Sequence, residues 1–195
     1  MTNSSRAAFT LIELLVAMVI SSILITATTS VYTLFRKSVT ADQAKADITQ
    51  NGRIAMDRIS RELRQTSDIV TDLPQDPADT SVIQPSGIEF LNGHAVVGDS
   101  NYLTYNKYYI SGGVLKLDVK EYYFASFPNT RVVWNTVGSG GSAPVAHVIS
   151  TQDVADRVTG IHLYDDNNVI TMVLTTGDGQ RQTSTLRTAI VGRNL

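Results

Sequence analysis

From Phe9 to Phe35 every residue is apolar or weakly polar except Glu13. No proline or glycine interrupts Phe9 to Asn51, so nothing there stops a helix. Leu14 to Phe35 holds about 22 residues without a charge, near the ~20 that cross a bilayer core. Beyond Arg36 the pattern changes. Ala41, Ala44, Ile48, Gly52, Ala55, Ile59 and Leu63 recur at spacings of three and four, with Met56 beside them. That spacing is one narrow apolar stripe along a helix. Arg53, Asp57, Arg58, Arg61, Glu62 and Arg64 fall mostly on the other faces. Asp57–Arg61 and Arg58–Glu62 are i,i+4 pairs, each adding a few tenths of a kcal/mol. The pattern predicts one helix from about Phe9 to about Thr66, apolar all round in its first half and amphipathic in its second.

"TDLPQDPADTSVIQPSG" ends the helical period, because Pro74, Pro77 and Pro85 with Asp and Ser make a loop. After it the period drops to two. "GIEFLNG" reads as a short strand. "NYLTYNKYYISGGVLKLDVKEYYFA" reads as a hairpin around Ser111-Gly112-Gly113. "RVVWNTV" reads as a further strand, and Gly138 to Pro144 as a flexible loop. "AHVIS" precedes three more strands, with turns at Asp165–Asn168 and Gly177-Asp178-Gly179. The expected class is α+β: a long N-terminal helix, its first half membrane-spanning, packed on an antiparallel β-sheet domain.

Composition narrows the chemistry. The 195 residues carry a net charge of −2, 43% hydrophobic residues and no cysteine. Disulfides, thiolate metal sites and cysteine nucleophiles are therefore excluded. The bulk charge selects neither a polyanion nor a polycation as partner. The apolar run is longer than a secretory h-region of ~7–15 residues and continues into helix-compatible sequence, so a cleaved secretory signal fits it poorly. A plain signal anchor fits its length but leaves Glu13 unexplained. Arg6 precedes the run, and Arg36 and Lys37 follow it. By the positive-inside tendency alone, the C-terminal side would stay in the cytoplasm.

"AAFTLIELLVAMVI" resembles the class III signal of type IV prepilins and type II secretion pseudopilins. In that family a short polar leader ends in a small residue, followed by Phe, Thr-Leu-Ile, a glutamate and an apolar helix. The resemblance implies a leader at 1–8 and cleavage between Ala8 and Phe9 by a prepilin peptidase. It also implies N-methylation of Phe9. Ala8 stands where the family usually has Gly, and one arginine makes this leader less basic than most. Glu13 would pair with the Phe9 amine of a neighbouring subunit, offsetting the cost of a carboxylate in the bilayer, about 2.5–3.5 kcal/mol on insertion scales. The pairing would favour lateral assembly and set the axial stagger.

The family often has a glycine and a helix-kinking proline where this chain has Ser22 and Ser30, so a straighter helix is expected. Ser21, Ser22, Thr26, Thr28 and Thr29 can bond back to the preceding turn. "RIAMDRISRELRQ", the hairpin "LTYNKYYISGGVLKLDV" and the ending "LRTAIVGRNL" resemble segments of the J-type pseudopilin and of its W-type counterpart in type IV pili.

The implied organisation is a leader at 1–8, a transmembrane or filament-core helix at 9–35, its amphipathic continuation at 36–66 and a β-rich domain at 67–195. The implied role is a structural minor pilin-like subunit of a pseudopilus or type IV pilus, not an enzyme. Expected partners are other minor and major pilin-like subunits, the prepilin peptidase and an inner-membrane assembly platform. The expected location is the bacterial inner membrane, single-pass with the domain outside the cytoplasm, then the filament. The alternative is a tip minor pilin that binds DNA or a surface ligand.

Other constellations carry less. His94, His147 and His162 are scattered without ligand spacing. Asp165, Asp166 and Asn167 in "YDDNNV" offer oxygens that suit calcium, but the same residues suit a tight hairpin turn, and no bidentate glutamate follows. Asp76 and Asp79 are weaker calcium candidates, and no cofactor is expected otherwise. "VGSGGSAP" lacks the lysine of a phosphate loop. Tyr102, Tyr105, Tyr108, Tyr109, Tyr122 and Tyr123 could stack nucleobases. In alternating strands they are expected instead to pair across the sheet and pack on the helix. No basic groove accompanies them, so nucleic acid is not the expected partner.

Overall fold

The computed structural model describes residues 10–93, 103–177 and 183–191. It divides the chain into two compact units, residues 1–44 and 45–195. One element is shared between them: helix α1, Leu11–Leu63, runs without interruption.

In the first unit the side chains of α1 are exposed all round, from Leu11 at 85% to Phe35 at 66%. A helix that buries nothing of its own and is apolar on every face is built for an apolar solvent. The hydroxyls in the run do not contradict this. Ser22 donates to the Val19 carbonyl, Thr26 to Ser22, Thr28 to Leu24, Thr29 to Ile25, Ser30 to Thr26 and Thr33 to Ser30, each at 2.8 Å. Each of these six donors is thus satisfied within the helix, as a lipid surrounding demands, whereas Ser21 makes no such bond among the described residues.

In the second unit the C-terminal part of α1 is followed, among the described residues, by eight strands: β1 Gly87–Leu91, β2 Tyr105–Ser111, β3 Val114–Phe124, β4 Phe127–Arg131, β5 Val145–Asp156, β6 Val158–Asp166, β7 Val169–Gly177 and β8 Thr183–Val191. They form two antiparallel sheets. In the first, β1, β2 and β3 are consecutive neighbours, and β3 also pairs with β4 and β5. The second has the order β6-β7-β8. One core lies between them. Ala55, Met56, Ile59 and Leu63 of the helix stripe join Ile88, Phe90, Tyr108, Leu115 and Leu117 of the first sheet. Ile161, Leu163, Ile170, Met172, Leu174 and Ile190 complete it from the second.

Gly52 lets the helix approach the second sheet. A Cβ at this position would lie 2.9 Å from Leu186 Cδ1 and 3.0 Å from Thr176 Cγ2. At the helix exit the buried Thr66 hydroxyl donates to the Leu91 carbonyl at 2.7 Å. The chain then runs along β1, where Leu91 N donates to Asp68 O at 2.9 Å and Val70 N to Glu89 O at 2.8 Å.

The strand read at "RVVWNTV" is corrected by the structure. β4 ends at Arg131, and of that segment only Val132 N continues the pairing, donating to Tyr122 O at 2.8 Å. The chain then turns, with Thr136 N donating to Val133 O. Val133 and Trp134 instead cover a second, small core of Leu91, Leu103 and Tyr105 on the outer face of the first sheet. Their apolar character serves that cover. The real strand, Phe127–Arg131, is short and carries a proline, which an edge position tolerates. The loop from Gly138 contains a short 3-10 turn, Ser139–Gly141. The "AHVIS" strand extends to twelve residues. The β6–β7 turn forms as a tight hairpin. Asp166 pairs with Val169, and Asn167 and Asn168 have φ of 51° and 65°, the left-handed pair a two-residue hairpin needs. The turn expected at Gly177-Asp178-Gly179 falls largely outside the described residues.

Candidate functional site

The helix start carries the most distinctive chemistry. Thr10 caps α1, and Glu13 lies three residues on. Thr10 N donates to Glu13 Oε2 at 2.9 Å, and Thr10 Oγ1 donates to the same oxygen at 3.0 Å. In return Glu13 N donates to Thr10 Oγ1 at 3.3 Å. This is a capping box, which satisfies two backbone N–H groups that a helix start leaves without partners. Among the described residues, Glu13 Oε1 accepts none of these bonds. The carboxylate is therefore half-engaged by its own chain, with one oxygen open to a further donor. Sequence reasoning singled out Glu13 but missed Thr10. The signal was there: Thr-x-x-Glu ahead of an apolar run. Ala8 and Phe9, the expected cleavage and methylation residues, lie outside the described residues.

The C-terminal end of α1 is fastened by another glutamate. Glu62 Oε2 accepts from Tyr108 OH at 2.8 Å and from Asn106 Nδ2 at 2.9 Å, and its Oε1 meets Arg58 Nε at 3.3 Å. One expected i,i+4 pair is thus formed and extended to the sheet. Asp57 and Arg61 form no ion pair among the described residues. Burial pushes the Tyr108 hydroxyl far above its ordinary pKa, and the negative charge of Glu62 adds to the shift. Opposite, on the outer face, Glu89 accepts from Lys120 Nζ at 2.8 Å and from Tyr122 OH. Burial, then the bond to Glu89, raises Tyr122 likewise. Tyr105 and Tyr122 meet edge-on at 5.0 Å, and Phe90 stacks on Tyr108 at 6.1 Å. Tyr108 packs against the helix, as the alternation predicts, whereas Tyr105 and Tyr122 pair across strands on the outer face of the sheet, away from it.

The other candidates separate. Asn167 Nδ2 donates to Asp166 Oδ1 at 2.8 Å within the turn. Asp165 N bonds to the Pro74 carbonyl at 2.9 Å. Asp76 and Asp79 accept from nearby backbone N–H groups in their own loop. Among the described residues no group of three or more His, Asp or Glu could hold a metal ion. His162 is exposed in β6, and His147 Nδ1 lies 3.1 Å from Glu121, which also binds Arg131. His94 and Tyr102 lie outside the described residues.

Residues 3–29 match the family described as the prokaryotic N-terminal methylation motif. No curated protein and no solved structure matches the chain. The motif indicates a type IV pilin-like protein, processed by prepilin peptidase and associating with other pilin subunits. With one helix among the described residues long and apolar enough to cross a membrane, the chain fits a pilin anchored in the inner membrane.

Proposed function

We propose that the chain is a minor pilin-like subunit, a pseudopilin, that joins or initiates assembly of a type II secretion pseudopilus or a type IV pilus. One observation carries the reading. The methylation motif leads directly into an uninterrupted apolar helix whose continuation forms the core of a two-sheet domain. Cleavage between Ala8 and Phe9 frees an amine at the head of that helix, and methylation keeps it a cation. The open oxygen of Glu13 then receives the Phe9 amine of a neighbouring subunit while Thr10 holds the other oxygen. Two desolvated charges are satisfied together, whereas either alone would be unpaired in lipid. Serine at positions 22 and 30 keeps the helix unbroken by glycine or proline, which suits a subunit apart from the repeating body of the filament. The domain lies in the periplasm and presents its surface to other subunits or to cargo. The chain itself does no covalent chemistry and needs no cofactor.

Intact-mass measurement after co-expression with a prepilin peptidase tests the first step. The expected product lacks residues 1–8 and carries one added methyl on Phe9. A full-length, unmethylated product would refute the processing on which the rest depends.

A further inference from the structure

The charge-free run closes at Arg36, whose guanidinium lies 5.9 Å from the centre of the Tyr32 ring, over its face. Just below this pair the helix surface is notched. Ala27 and Thr28 are short, and Val31, Tyr32 and Phe35 stand around them. The chain leaves the notch open, since Val31, Tyr32 and Phe35 are 66%, 58% and 66% exposed. Arg36 and Lys37 make no ion pair among the described residues, and the next carboxylate in the chain is Asp42.

A cation above an apolar notch, where a membrane-length run ends, is complementary to a phospholipid. An apolar helix could fill the notch but would leave the guanidinium without a counter-ion. A soluble anion could meet the guanidinium but would leave the notch in water. A phospholipid meets both needs. Its acyl chain covers the apolar side chains, and its phosphate accepts the forked guanidinium hydrogen bonds. The tyrosine sits at headgroup level, where its ring is apolar and its hydroxyl wet. Cation–π attraction to that ring, at 5.9 Å, also draws the guanidinium to this side of the helix before the phosphate arrives.

We infer that Arg36, held over Tyr32, and the notch lined by Ala27, Thr28, Val31, Tyr32 and Phe35 form a phospholipid site. The guanidinium takes the headgroup phosphate and an acyl chain lies in the notch. The inference rests on the membrane reading of this helix. Lys37 is turned about 100° around the helix from Arg36, so it belongs to a different face and serves as an internal control.

The test uses the full chain with phosphatidylglycerol as probe. Flotation with vesicles of phosphatidylcholine and phosphatidylglycerol reports insertion. Native mass spectrometry from detergent reports retained lipid. The expected result is that the chain floats and keeps phosphatidylglycerol. Arg36→Ala and Tyr32→Ala each lower the retained lipid severalfold, Lys37→Ala does not, and excess inorganic phosphate does not displace it. A chain that floats while Arg36→Ala retains as much lipid overturns the site alone. So does an equal loss in Lys37→Ala, which would mean general attraction to charge, or displacement by inorganic phosphate. A chain that fails to float overturns the membrane reading and the site together.

Discussion

A carboxylate at the head of an apolar helix must find donors, and the first it finds are its own. Thr10 supplies an N–H and a hydroxyl to one oxygen of Glu13, so the residue is tolerated before any neighbour arrives. The two side chains are therefore expected to fail differently. Thr10→Val removes the hydroxyl and should cost about 1 kcal/mol of helix-start stability. Amide exchange in micelles should show this as faster exchange over the first turn, with insertion retained. Glu13→Ala should insert as well as the unaltered protein yet lose co-purification with partner subunits. Equal co-purification would sink the intersubunit role.

Buried tyrosines give a second prediction at this scale. Tyr108 and Tyr122 are raised chiefly by burial. Both stay protonated in the folded state at pH values where the unfolded chain ionises, near pH 10. Their contribution is full below that pH and is lost as the pH rises through it towards the folded values. The melting temperature should therefore fall steeply above about pH 10, and Tyr108→Phe should flatten the fall.

Among the elements, α1 does two jobs with two compositions. Its first part relies on back-bonded hydroxyls and apolar side chains. Its last part relies on one stripe, closed by a glycine against the second sheet. Gly52→Ala places a carbon near the flexible end of Leu186 while gaining about 1 kcal/mol of helix propensity, so the two effects nearly cancel. Gly52→Leu has no such room and should cost about 1–3 kcal/mol by overpacking. Thermal unfolding of both variants in detergent checks the contrast. An unchanged melting temperature for Gly52→Leu would mean the helix does not need that close approach.

Across the whole molecule, the domain is held by contacts distant in sequence. Glu62 reaches Asn106 and Tyr108 over more than forty residues. Glu62→Ala would leave the buried Tyr108 hydroxyl and the Asn106 amide without an acceptor, a loss of about 1–3 kcal/mol. Urea unfolding should show the loss as a lower midpoint with an unchanged slope. Glu62→Gln, which keeps an acceptor, should recover part of it.

Local pattern was enough for the helix, the stripe from Ile48 to Leu63, the hairpin turns at Ser111–Gly113 and Asp165–Asn168, and the place of Glu13 at the helix start. Each depends on residues within a few positions of one another, so periodicity and turn chemistry expose them. Tertiary structure alone decided that the strands divide into two sheets around one core. It also decided that Val133 and Trp134 roof a second core instead of forming a strand, and that Glu62 fastens helix to sheet. Such choices turn on which distant surfaces bury together, and a one-dimensional alternation of apolar and polar residues reads the same whichever partner covers it.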